Sequence, residues 1–127
     1  MKATPDKAYE LAIVDPPYGI GAGEGVGVTR GCANKYKVKD WDNQRPSLEY
    51  FIEIQRVSIN QIIFGGNYFA DLLRASRCWI YWRKEMGGNY ADVELALTSF
   101  DEVMKEFTKR SQQGECRIHP TQKPVKL

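Results

Sequence analysis

The stretch Leu11-Ala12-Ile13-Val14-Asp15-Pro16-Pro17-Tyr18 constrains the fold more than any other part of the chain. Four consecutive apolar residues bounded by a carboxylate and two prolines read as a short buried strand that stops abruptly. Pro16 fixes its own φ, lacks an N–H and pushes Asp15 toward an extended conformation, and Pro17 does the same to Pro16. The strand therefore ends in a stiff corner carrying a carboxylate, two carbonyls and the Tyr18 ring. Such a corner is rich in acceptors and poor in donors, and it suits a ligand that brings its own N–H groups.

The segments that follow alternate in type. Gly19–Gln44 has no sustained period, and its glycines predict a loop. A phosphate-cradling GxGxxG turn is excluded because Glu24, Val26 and Val28 occupy the third-glycine positions. A long glycine-rich loop beside a reactive corner reads instead as a lid or a substrate-contacting segment. Pro46 suits a first helical turn, and Leu48, Phe51, Ile52, Gln55 and Ile59 follow at helical spacing. Gln61–Gly66 reads as a second strand, and Asn67 as the cap of a short helix with Phe69, Leu72 and Leu73 facing inward. Cys78–Trp82 predicts a third strand, a helix is expected from about Asp92 through Phe100, and Glu102–Phe107 predicts a fourth strand. Strand and helix in alternation imply an α/β domain with a mostly parallel sheet and helices on both faces. Ligands of such sheets bind beyond the carboxyl ends of the strands, where Asp15–Tyr18 is expected to lie.

Composition narrows the function classes. The chain has 127 residues, 43% hydrophobic and 27% charged, which fits one soluble domain at most. No stretch is long and apolar enough for a membrane span or a signal segment, so a cytoplasmic protein without membrane contact is expected. Cys32, Cys78 and Cys116 form no CxxC pair, and His119 is the sole histidine, so three reduced thiols are expected rather than a disulfide framework or a metal site. Trp41, Trp79 and Trp82 are expected to pack in the core or loops. Net charge is only +2, but residues 105–127 carry +4, and Arg30, Lys35, Lys37 and Lys39 form a second basic group with no acid inside it. Either group is able to neutralise phosphates.

The sequence Asp-Pro-Pro-Tyr at a strand end resembles the catalytic motif of DNA amino-methyltransferases, which methylate exocyclic amines of adenine or cytosine. His119-Pro120-Thr121-Gln122-Lys123-Pro124-Val125 looks like a second motif of that family. Gly87–Phe100 is similar to short phage and prophage adenine-specific methylases. The motif order is that of the circularly permuted β group.

The resemblance implies a Rossmann-like fold that uses S-adenosylmethionine and acts on double-stranded DNA. It assigns catalysis to Asp15, Pro16, Pro17 and Tyr18 and cofactor contact to His119, Thr121 and Lys123. Arg30, Lys35, Lys37, Lys39, Lys109 and Arg110 are the candidate DNA contacts. Tyr18 would stack on an everted base, so Tyr18→Phe is expected to be mild. Full-length relatives continue into a strand ending in a glycine-rich F-x-G-x-G turn that cradles the cofactor, which residues 1–127 do not contain. The chain therefore reads as the catalytic part of a methyltransferase domain. That leaves two further expectations: an inactive remnant, or half of a site completed by a second copy or a complementary polypeptide. An incomplete sheet would also expose a strand edge or an apolar face. Methylation of cytosine N4 is a further alternative, and Asp rather than Ser at position 15 leans toward adenine.

Overall fold

The computed structural model describes residues 3–21, 42–85 and 91–109. They form a mixed α/β fold around one five-stranded sheet. Its elements are β1 (Tyr9–Val14), α1 (Leu48–Val57), β2 (Ser58–Phe64), a 3-10 helix (Gly66–Phe69), β3 (Trp79–Arg83), β4 (Val93–Thr98) and β5 (Lys105–Thr108). The strand order is β1-β2-β4-β3-β5. β1 and β2 pair in parallel, as do β3 and β5, whereas β4 is antiparallel to both β2 and β3. Four strands thus share one direction and β4 alone runs against them.

Each sheet face carries its own apolar cluster. On one, Phe51 of α1 and Phe69 of the 3-10 helix pack on Ile63, with Val14, Tyr18, Tyr50, Leu72 and Leu73 around them. Phe51, Ile54 and Val57 recur at helical spacing and turn inward, which is why the predicted helix forms where it does. On the other face, Phe64, Trp82 and Ala96 pack with Ile62, Ile80 and Phe107. Among the described residues α1 and the 3-10 helix cover the first face only. β1 lies at the sheet edge and exposes Tyr9, Leu11 and Ile13, which alternate with Glu10 and Ala12 and so share one side.

α1 passes into β2 without a loop. The Ser58 N–H donates to the Ile54 carbonyl, and the Ser58 hydroxyl donates to the same oxygen at 2.6 Å, closing the last helical turn. The Gln61 amide then donates to Ser58 at 2.9 and 3.0 Å, so this buried polar pair is satisfied. At the same helix end Arg56 pairs with Asp6 and Glu53, tying the N-terminal turn to α1.

Three local expectations are corrected. Val93–Thr98 is a strand rather than a helix, although Glu, Leu and Ala favour helices. The segment is hydrogen-bonded on both sides, to β2 and β3, and cross-strand pairing outweighs intrinsic propensity. Asn67 does not cap a helix; it lies inside the 3-10 turn, whose N-cap is Gly65 in the left-handed region. Ile59 belongs to β2 rather than to the helix. Helices on both faces are not seen among the described residues.

Candidate functional site

Strands β1, β2 and β3 end at one edge of the sheet, where antiparallel β4 begins. That edge collects Asp15–Tyr18 after β1, Gly65 after β2, Lys84 after β3 and Glu94 near the start of β4. Asp15 is exposed, Pro16 is buried, and Pro17 and Tyr18 are partly buried. The opposite edge holds a cleft of about 380 Å³ lined by Ala75, Ser76, Arg77, Ser99, Phe100 and Asp101, well away from the Asp15 corner.

Tyr18 is held at its backbone, its ring and its hydroxyl. The buried Asp42 carboxylate accepts from the Tyr18 N–H at 2.6 Å and from the Gly19 N–H at 3.0 Å through one oxygen. The Asp42 carbonyl accepts from Gly21 at 3.2 Å. Successive N–H groups converging on one carboxylate give short, charge-assisted bonds, and they fix the turn after the prolines.

The Tyr18 ring stacks on Tyr68, with centroids 4.6 Å apart and planes at 14°, and meets Phe69 edge-on at 6.0 Å. It also lies against Gly65 so closely that a Cβ there would overlap the ring, and Gly65 has φ +67°. Only glycine meets both conditions without strain. Arg45 supports the platform from below: it donates to the Tyr68 carbonyl at 3.0 Å and forms a bidentate pair with Asp71.

The Tyr18 hydroxyl donates to Asp15 Oδ1 at 2.8 Å and lies 3.1 Å from Glu94 Oε1. Glu94 Oε2 accepts from Lys84 Nζ at 2.7 Å, and Lys84 Nζ also sits 5.3 Å from the centre of the Trp82 ring. Burial, then the Glu94 and Asp15 carboxylates, push the Tyr18 phenol far above its usual range near 10.0. The hydroxyl therefore keeps its proton at any ordinary pH and serves as a donor.

Of the residues expected from sequence, the structure brings Asp15, Pro16, Pro17 and Tyr18 together at the carboxyl edge. Lys109 is also described: its N–H donates to the Arg83 carbonyl at 3.1 Å, and its carbonyl accepts from Trp82 Nε1 at 2.9 Å. Arg30, Lys35, Lys37, Lys39, Arg110, His119, Thr121 and Lys123 lie outside the described residues. Cys78 is a free buried thiol, and among the described residues no cluster of His, Cys, Asp or Glu is arranged to hold a metal. No described helix is long and apolar enough to cross a membrane.

Sequence reasoning missed Asp42, Glu94, Lys84, Gly65 and Tyr68. Asp42 and Glu94 reach Tyr18 from 24 and 76 residues away, and nothing in their own neighbourhoods announces the contact. Gly65-Gly66 was the one available signal, since a glycine pair after a strand marks close backbone approach. No known family model matches the chain, and no curated protein matches it.

Proposed function

We propose that this chain carries the catalytic corner of a DNA adenine-N6 methyltransferase and that its sheet is part of a Rossmann-like methyltransferase fold. One observation carries the reading. An exposed carboxylate, Asp15, stands at the carboxyl end of a parallel strand, oriented by a hydrogen bond from Tyr18 and followed by a buried proline. Four strands sharing one direction, with the corner at their carboxyl edge, are in keeping with it.

Adenine N6 is a poor nucleophile because its lone pair is delocalised into the ring. Asp15 and the Pro16 carbonyl would each accept one N6 hydrogen, which favours a tetrahedral nitrogen and aims its lone pair. Rigid acceptors are worth most here, because they need not reorganise as the amine pyramidalises. Pro16 holds its carbonyl through its ring, and Asp15 is held through Tyr18. The base must leave the duplex at a cost of a few kcal/mol, and stacking on an aromatic ring returns about 1–3 kcal/mol. The stacked Tyr18–Tyr68 pair offers that surface, with Tyr68 36% exposed.

S-adenosylmethionine would supply the methyl group on a positively charged sulfur. Charge at this edge is in keeping with such a group, since the carboxylates of Asp15 and Glu94 meet there at the Tyr18 hydroxyl. His119, Thr121 and Lys123 are the residues proposed to hold it. The basic residues Arg30, Lys35, Lys37, Lys39, Lys109 and Arg110 are proposed to meet the phosphates of double-stranded DNA, in a cytoplasmic setting.

The test is transfer of a radiolabelled methyl group from S-adenosylmethionine to duplex DNA by the full chain. Transfer is expected with the native chain and not with Asp15→Ala. Equal transfer by both would overturn the assignment, and absence of transfer from the native chain would favour an inactive remnant or a site completed by another polypeptide.

A further inference from the structure

We propose that Glu94 is a positioning residue of this site: through the Tyr18 hydroxyl it sets the direction in which Asp15 presents its carboxylate. A tyrosine hydroxyl carries one hydrogen, yet two carboxylates lie within hydrogen-bond distance of this one. The two are not equivalent. Asp15 is exposed on the corner after β1, whereas the Glu94 side chain is 9% exposed and its backbone is paired with Trp82 in the sheet.

Glu94 is the fixed partner of the two, and Lys84 explains how its charge is tolerated. Lys84 donates to Glu94 Oε2 at 2.7 Å and lies over the Trp82 ring, so the carboxylate is paired on the side away from Tyr18. A partly buried carboxylate without such a partner would be costly. With Lys84 drawing on Glu94, Asp15 is the stronger acceptor for the hydroxyl hydrogen, in line with 2.8 Å against 3.1 Å. The Tyr18 ring cannot drift to relieve the arrangement, because Tyr68, Phe69 and Gly65 pack against it and Asp42 holds its N–H. The chain Lys84–Glu94–Tyr18–Asp15 thus runs from the middle of the sheet to its exposed corner.

The positioning stands on geometry; its catalytic consequence rests on the methyl-transfer reading. The experiment separates the two. The side-chain carboxyl carbon of Asp15 is followed by NMR in the ¹³C-labelled full chain, its resonance assigned by its loss in Asp15→Ala. Glu94→Gln, isosteric and uncharged, is expected to move that resonance in the native background and to leave it nearly unmoved in Tyr18→Phe. Lys84→Met is expected to move it as well, which guards against a folding defect in one variant. In methyl transfer, Glu94→Gln is expected to lower kcat by about tenfold while KM for DNA stays within about twofold, the pattern of a lost transition-state orientation. An unmoved Asp15 resonance, or an equal shift with and without the Tyr18 hydroxyl, would overturn the positioning role. If the native chain transfers no methyl group, methyl transfer by this chain on its own falls and the resonance alone decides the positioning.

Discussion

Replacing Asp42 isolates the anchor beneath the Tyr18 turn. One buried carboxylate oxygen accepts from two consecutive N–H groups, at 2.6 and 3.0 Å. A hydrogen bond to a charged group contributes about 1.5–3 kcal/mol, and the two share one oxygen, so Asp42→Ala is expected to cost about 3 kcal/mol rather than twice the upper value. Much of that loss comes from leaving the Tyr18 and Gly19 N–H groups without an acceptor in a partly buried turn. Asp42→Asn keeps an oxygen for the two N–H groups and loses the charge assistance, so a smaller loss, of about 1 kcal/mol, is expected. The bond from Gly21 to the Asp42 carbonyl survives in both variants and does not confuse the comparison. Urea unfolding followed by far-ultraviolet circular dichroism measures both losses as shifts of midpoint at constant slope. The reasoning is refuted if Asp42→Ala costs under about 1 kcal/mol, or if the asparagine variant is as unstable as the alanine one.

Gly65→Ala is expected to destabilise the fold by about 2–4 kcal/mol, from a left-handed φ plus a methyl group driven into the Tyr18 ring; the same unfolding measurement checks it. Tyr18 has a raised folded-state pKa, so its contribution is fully present below the unfolded value near 10.0 and is lost as pH rises beyond it. Native stability should therefore fall above that pH by up to about 1.4 kcal/mol per unit, and Tyr18→Phe should flatten this part of the decline. Tyr50, raised by burial, remains in both proteins and sets the residual slope. An unchanged alkaline slope in Tyr18→Phe would refute the environment assigned to the phenol. The hydroxyl's contacts with Asp15 and Glu94 also revise the sequence expectation of a mild Tyr18→Phe: a loss of transfer rate is now expected.

Legibility followed the range of the interactions. The end of β1 at Asp15-Pro16 was readable because proline acts on its immediate neighbours, and α1 was readable from Leu48, Phe51, Ile52 and Gln55 at helical spacing. The residues that turn inward are Phe51, Ile54 and Val57, while Leu48 and Ile52 are exposed. β2 and β3 were visible as short apolar runs rich in Ile, Trp and Tyr. β4 was misread because Glu94, Leu95, Ala96 and Leu97 favour helix locally, while the choice was made by β2 and β3 on either side. The same cause hid half of the site. Asp15 and Tyr18 stand three residues apart and could be found together, whereas Lys84 and Glu94 join them only because the sheet brings its carboxyl edge into one place, and Asp42 reaches the Tyr18 N–H from outside the sheet. The alternation that exposes Tyr9, Leu11 and Ile13 in one row on the edge strand is a local, period-two pattern.

The corner at Asp15 is tested most directly by the chemical identity of the product. Duplex DNA incubated with the full chain and S-adenosylmethionine, then digested to nucleosides and resolved by mass spectrometry, is expected to contain N6-methyladenine, and none with Asp15→Asn. N6-methyladenine formed equally by Asp15→Asn, or a native product methylated only on cytosine, would contradict the role given to this carboxylate.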